Sequence, residues 1–144
     1  MRDEKINIAF SFDKNYYRQA GATIHSLLNF AEKNKSFNIF CLCSDDFNET
    51  DKKDFLIVLE GKIGNSNLIF KKVGSVFDNS FEIRGITKAA YFRLLLHKLL
   101  PDVKKVIYAD VDTLFLDDIG NVYEREMREN ELIGAVKATS INLE

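Results

Sequence analysis

Val106-Ile107-Tyr108-Ala109-Asp110-Val111-Asp112-Thr113-Leu114-Phe115 reads as a buried β-strand that stops abruptly at two carboxylates. One apolar residue, Val111, separates Asp110 from Asp112, and apolar character resumes at Leu114. Carboxylates are costly to bury without partners. Two of them at the carboxyl end of a core strand point to a cation, a ligand, or both. In an extended strand residues i and i+2 share a face, which lets both carboxylates converge on one point. In an open α/β sheet that end is also where ligands bind. The matching cation is hard, Mn²⁺ or Mg²⁺, because these ions favour oxygen donors and Mg²⁺ is commonly held by one or two carboxylates plus phosphates. The alternative is an Asp pair that closes a turn or caps a helix, and a second such pair follows at Asp117-Asp118.

The rest of the chain alternates strand and helix signals around this segment. Residues 6–12 (INIAFSF), 37–43 (FNIFCLC) and 67–73 (NLIFKKV) read as strands, and 104–109 as a fourth. Residues 16–33 show helical periodicity, with Tyr17, Ala20, Ile24, Leu27 and Ala31 recurring at steps of three and four. Asn48-Glu49-Thr50-Asp51 looks like a helix start, with an end near Gly61 or Gly64. Residues 74–85 read as irregular. Thr87 then caps an apolar helix over 88–100, stopped by Pro101. A charged helix over 121–129 and a fifth strand over 132–136 complete the pattern. Such alternation predicts an α/β fold, a Rossmann-like, mostly parallel sheet with helices on both faces.

Composition bounds the possibilities. A chain of 144 residues is long enough for one domain with a real core. Its formal net charge of −2 argues against a general nucleic-acid surface. No apolar run reaches the length of a membrane span, and the charged start Met1-Arg2-Asp3-Glu4-Lys5 leads directly into a strand, unlike a secretory leader. Only two cysteines occur, Cys41 and Cys43, on one face of a strand. A disulfide between i and i+2 would strain the strand, so buried free thiols in a reducing cytoplasm are expected rather than a zinc site.

Four further groups bear on chemistry. Asp13 and Asn15 follow the first strand, where they either hydrogen-bond a nucleobase, with Tyr16 stacking on it, or cap the first helix. Neither the dinucleotide glycine triad nor a phosphate-cradling GxxxxGK run is present. Arg93 sits among Tyr91, Phe92, Leu94, Leu95 and Leu96, and such an Arg either meets a phosphate or carboxylate with its planar fork or snorkels to solvent. His25 and His97 lack a companion nucleophile or carboxylate at suggestive spacing and read as surface residues. Gly134-Ala135-Val136 is a place where a ligand can approach the backbone.

Three of these segments together resemble the N-terminal half of family 8 glycosyltransferases, a group with lipopolysaccharide galactosyl- and glucosyltransferases and glycogenin among its members. They are I-N-I-A-F-S-F-D-K-N-Y near the start, I-T-K-A-A-Y-F-R-L-L-L before Pro101, and the D-V-D element. The resemblance implies a GT-A type fold and a metal-dependent hexosyltransferase that acts with retention. Ser11, Phe12, Asp13, Asn15 and Tyr16 would line the uridine pocket, and Arg93 would contact the donor. Asp110, Val111 and Asp112 would form the DxD element, with Asp110 and Asp112 binding Mn²⁺ or Mg²⁺. It also implies a UDP-sugar donor, UDP-glucose or UDP-galactose, and a saccharide acceptor such as lipopolysaccharide or another surface glycan. No catalytic nucleophile is identified. Family members run to roughly twice this length, so the 144 residues are expected to be one nucleotide-sugar-binding domain, the N-terminal part of a longer enzyme, and inactive alone. The family's metal-shell His and its Lys-Pro-Trp segment lie in that later part, and Lys137-Ala138-Thr139 stand where it tends to carry an acidic residue. Further expectations are self-association through exposed apolar surface and a cytoplasmic location, peripheral to the inner face of the membrane. The competing reading is a non-catalytic, flavodoxin-like α/β interaction module.

Overall fold

The computed structural model describes residues 5–79 and 87–135. Strands β1 (Ile6–Phe12), β2 (Phe37–Cys43) and β3 (Asn67–Lys72) alternate with α1 (Tyr17–Phe30) and α2 (Glu49–Val58). With a short β4 (Ile107–Tyr108) the described residues form a four-stranded sheet in the order β3-β2-β1-β4, parallel throughout. The first two crossovers step to one side of β1 and the third returns across it to β4. Right-handed crossovers must then lie on opposite faces. Accordingly, Ile6, Ile8, Phe10 and Phe12 of β1 pack under α1 and α2, while Ala9, Phe40 and Leu42 pack under the segment leading to β4.

The two central strands are buried along nearly their whole length, which is why they read as continuous apolar runs and begin and end as expected. Helix α1 buries Tyr17, Ala20, Ile24 and Leu27, the stripe its periodicity predicts, together with Thr23. Helix α2 opens on a full capping box. Asn48 accepts from the amides of Thr50 and Asp51, and the Asp51 carboxylate accepts from the Asn48 amide.

Four expected elements differ. The fourth strand, expected over 104–109, is only Ile107–Tyr108. Residues 88–100 are not one α-helix but a 3₁₀ helix (Lys88–Leu95) followed by one α-turn, α3 (Leu96–Leu99). Ala89, Phe92 and Leu95 recur every three residues, the 3₁₀ period, and pack together on Leu42 and Val73. Thr87 has the extended backbone of a cap but its side chain makes no capping hydrogen bond. The charged helix is shorter, α4 (Gly120–Glu124), and residues 132–135 form no strand. Leu132 and Ile133 are 93% and 85% exposed, so no sheet edge receives them among the described residues. Val136 and residues 137–139 lie outside the described part.

An asparagine ladder fixes the register at the amino ends of the strands. Asn7, Asn38 and Asn67 are lateral partners on β1, β2 and β3. Asn67 Nδ2 donates to Asn38 Oδ1 (2.8 Å), and Asn38 Nδ2 donates to Asn7 Oδ1 (2.9 Å). Asn7 Nδ2 continues the chain to the Tyr123 hydroxyl (2.9 Å). A slip of one residue would break every link. Asn38→Ala removes both links, one of them to the exposed Asn67, and is expected to lower unfolding free energy by about 0.5–1.5 kcal/mol. Urea titration should show this as a lower midpoint with an unchanged slope.

Cys41 and Cys43 are buried free thiols on the α1 face of β2. Burial, with Cys43 adding, lifts the Cys41 thiol well above its ordinary 9.0. Burial likewise pushes Cys43 up to about 11, with Lys72 pulling back. Both therefore keep their protons at neutral pH, and iodoacetamide should label neither in the folded chain at pH 8 but both after unfolding. The folded values lie above the unfolded one. The Cys43 contribution to stability is thus intact below pH 9.0 and is lost as pH rises from there through about 11.

Candidate functional site

The strand order reverses direction between β1 and β4, and that switch point is where open α/β sheets form a ligand crevice at their carboxyl ends. Here the last turn of β1 and the end of β4 meet through side chains. Ser11 Oγ lies 2.6 Å from the Tyr108 hydroxyl, and the same hydroxyl donates to Asp110 Oδ1 at 3.1 Å. A carboxylate only accepts, so Tyr108 spends its proton on Asp110 and Ser11 donates to Tyr108. Burial, foremost, raises the Tyr108 phenol above its ordinary value, with the Ser11 hydrogen bond and Arg93 opposing, so the hydroxyl stays a neutral donor.

Arg93 completes the group. Its Nη2 donates to the same Asp110 Oδ1 at 2.9 Å, its Nε to the Ala90 carbonyl at 2.7 Å, and its guanidinium carbon sits 4.7 Å from the centre of the Tyr108 ring. The 3₁₀ helix makes this possible: Phe92 anchors it in the core, and Arg93, the next residue, projects toward β4. Both partners of the ion pair are about half exposed, 40% and 51%, which marks the pair as weak and exchangeable.

The segment after β4 is not extended. It turns at Val111 and Asp112, and Thr113 Oγ1 donates back to the Asp110 carbonyl at 2.7 Å. The premise that both carboxylates share one face of a strand is therefore replaced by a turn that presents them. Helix α1 pins this turn. Thr23 Oγ1, buried, shares its proton between the carbonyls of Val111 (2.7 Å) and Thr113 (2.8 Å), and the Phe115 amide donates to Ser26 Oγ (3.0 Å). Asp112 is exposed, with no side-chain hydrogen bond or ion pair among the described residues. The donor set is two hard carboxylates at an open edge, and no cluster of three or more acidic, His or Cys ligands occurs among the described residues. That fits a cation which takes one or two carboxylates and fills its remaining positions with phosphate and water.

At the same carboxyl edge lies an open cleft of about 400 Å³, whose lining includes none of Ser11, Tyr16, Arg93, Tyr108, Asp110 and Asp112. Asp13 and Asn15 line it from the β1–α1 loop, Ser44, Asp45 and Asp46 from the β2–α2 loop, and Lys88 and Phe92 from the 3₁₀ helix. Asp13 does not cap α1, whose cap residue is Tyr16. Its Oδ1 accepts from the Asn15 amide (2.7 Å) and its carbonyl from the Tyr16 amide (3.1 Å), which tightens the loop. Tyr16 is the cap residue of α1, 38% exposed, and no side chain caps the helix. A groove of similar size at the opposite end of the strands is lined by Lys35, Lys105 and Glu124, whose charges already engage each other or backbone carbonyls.

Two expected site residues face elsewhere. Phe12 is fully buried, stacked on Phe55 (5.6 Å) and edge-on to Phe47 (5.4 Å), because alternation along β1 sends it to the face opposite Ser11. Val111 packs its side chain on the same core and meets the site only through backbone. Tyr108 was not singled out by the sequence, although a Tyr two residues before Asp110 at the end of an aliphatic strand is a usable signal. Thr23 carried no such signal. His25 is half-buried and His97 exposed.

The fold is the GT-A type of nucleotide-diphospho-sugar transferases. The chain superimposes on the galactosyltransferase LgtC, solved with donor and acceptor sugar analogues, with a TM-score of 0.70 over 84% of this chain and 43% of that one at 24% identity. It also superimposes on the glycosyltransferase GlyE of Streptococcus pneumoniae TIGR4, with a TM-score of 0.65 over 98% of this chain and 32% of that one at 22% identity. The chain belongs to Glycosyl transferase family 8, whose sequence profile matches residues 7–143. It is 28% identical to General stress protein A of Bacillus subtilis (strain 168), over 88% of this chain and 44% of that protein. It is 27% identical to lipopolysaccharide 1,3-galactosyltransferase of Salmonella typhimurium (strain LT2), over 92% of this chain and 39% of that protein. The chain thus spans less than half the length of these curated relatives.

Proposed function

We propose that this chain is the nucleotide-sugar-binding domain of a glycosyltransferase. It binds a UDP-sugar, UDP-glucose or UDP-galactose, with Mn²⁺ or Mg²⁺ on Asp110 and Asp112, for retaining transfer of a hexose to lipopolysaccharide or another glycan. The observation that carries this reading is the Ser11–Tyr108–Asp110–Arg93 group at the switch point of the sheet. It places a carboxylate and a guanidinium together at the edge where this fold receives its nucleotide. A cation held there would offset the charge that develops on a diphosphate leaving group. Arg93 offers a planar donor fork to the same phosphate oxygens. Asp13 and Asn15 supply polar groups to a base or ribose in the cleft, and the exposed Tyr16 ring is a surface for stacking. The lipopolysaccharide galactosyltransferase relative supports the glycan acceptor, and family membership favours the reading over a plain interaction module.

Location and assembly belong to the same proposal. Among the described residues no helix is long and apolar enough to cross a membrane. A cytoplasmic location, peripheral to the inner face of the membrane, is proposed from the glycan acceptor and not from that observation. Leu114, Leu116, Leu132 and Ile133 are exposed and supply apolar surface for self-association. Calorimetric titration of UDP into the chain, first with Mn²⁺ and then with EDTA, tests the central claim. Binding that requires the metal supports it. Binding that ignores the metal, or no binding at all, counts against it.

A further inference from the structure

Three contacts converge on Tyr108, and each involves a different part of the site. Its hydroxyl accepts a hydrogen bond from Ser11 and donates one to Asp110 Oδ1, and its ring lies under the Arg93 guanidinium at 4.7 Å. Asp110 Oδ1 in turn accepts from two donors at once, Tyr108 at 3.1 Å and Arg93 at 2.9 Å. Both lone-pair positions of Oδ1 are thereby filled, so a cation that takes this oxygen, alone or together with Oδ2, displaces one donor. Arg93 is the one that can leave. Its ion pair is half exposed, and its positive charge beside the oxygen opposes a second cation. Tyr108 is neutral, mostly buried on the Ala9 and Leu100 side of the sheet, and braced by Ser11.

Building on the donor-domain reading above, we infer that Tyr108 is a positioning residue. Its hydroxyl holds Asp110 Oδ1 in place while a divalent cation takes that oxygen from Arg93, and its ring keeps the released guanidinium at the site to meet a nucleotide phosphate. Arg93 and the cation are therefore competitors at the carboxylate and partners toward the diphosphate. Cation–π contact gives the guanidinium a resting place that the exchange does not disturb, because the ring face and the hydroxyl act independently. The Ala90 carbonyl, which already accepts from Nε, restricts how far it swings.

The signs of the effects test this. The full chain and three variants, Arg93→Met, Tyr108→Phe and Tyr108→Leu, are compared by thermal melting, by loss of the free Mn²⁺ signal in electron paramagnetic resonance, and by calorimetry of UDP in saturating Mn²⁺. Arg93→Met is expected to tighten Mn²⁺ alone by about two- to five-fold, the worth of a released exposed ion pair. The same variant should weaken UDP by roughly ten- to a hundred-fold, the worth of charge-assisted hydrogen bonds to phosphate. Tyr108→Phe keeps the ring and its packing, still melts cooperatively with a midpoint lowered by a few degrees because the buried Ser11 hydroxyl loses its acceptor, and should weaken Mn²⁺ about tenfold through loss of the hydrogen bond that orients the ligand. Tyr108→Leu should weaken UDP beyond Tyr108→Phe, because the guanidinium loses its platform. If Arg93→Met moves both affinities in the same direction, or Tyr108→Phe binds Mn²⁺ as wild type does, the inference is overturned while metal-dependent UDP binding by wild type still stands. If wild type itself binds UDP without regard to Mn²⁺, the donor-domain reading falls and takes this inference with it.

Discussion

Phe55→Ala should lower the unfolding free energy by about 3–5 kcal/mol, a large share of the 5–15 kcal/mol that domains of this size possess. The melting temperature should fall by roughly 10–20 °C. Phe55 is the one buried residue within α2, and it is fully enclosed. It stacks on Phe12 (5.6 Å) and meets Phe70 (5.7 Å) and Phe47 (6.3 Å) edge-on. Removing the ring strips the helix of its main anchor and leaves a cavity walled by three aromatic faces, which cannot close without moving β1 and β3. Ile57→Ala is the internal control. Ile57 is 66% exposed on the same helix, so the change should stay within about 0.5 kcal/mol. Differential scanning calorimetry of both variants decides the matter. If Phe55→Ala melts within a few degrees of wild type, α2 is held by its capping box and by Leu59 rather than by the aromatic cluster.

That helix also shows where sequence alone runs short. Its start was legible, since Asn48 and Asp51 form a local motif that needs no tertiary partner. Its buried face was not, because one Phe among exposed Leu56, Ile57 and Val58 leaves no periodic stripe. The central strands were legible to the residue, because burial on both faces turns them into unbroken apolar runs. The edges of the sheet were not. Among the described residues β4 pairs only with β1, through Ile107 and Tyr108 alone, and the apolar run at 132–135 looks like a strand but has no edge to join there. In the site, Asp110 and Arg93 stood out as charges in apolar surroundings, and the fold brings them within 2.9 Å. Phe12 could not be oriented without knowing which face α1 covers. Tyr108 and Thr23 look like core residues in sequence, and only the turn between β4 and α4 shows what their hydroxyls hold.

The double variant Asp110→Asn with Asp112→Asn should lose metal-dependent UDP binding by more than the roughly 10–100-fold that outer-shell substitutions cost at metal sites. Asparagine keeps the shape and removes the charge, so the carboxylate anions that hold a divalent cation are gone while the turn survives. The turn does not depend on these side chains. It is held by the Thr113 hydroxyl on the Asp110 carbonyl and by Thr23 on the carbonyls of Val111 and Thr113. Asp112 is exposed, and the Asp110–Arg93 pair is half exposed and worth under about 1 kcal/mol, so the double variant should melt close to wild type. Calorimetry with UDP and Mn²⁺, read beside the melting curve, separates the two effects. A variant that melts normally yet binds UDP only with Mn²⁺, as tightly as wild type, would place the cation away from this turn and reduce the two aspartates to turn-formers. Loss of binding with an intact fold assigns the metal to them, because the substitutions remove two charges and little else. Thr23→Val is the complementary probe: it leaves both carboxylates in place and frees the turn that carries them, so its effect on UDP binding should be smaller than that of the double variant and accompanied by a lower melting temperature.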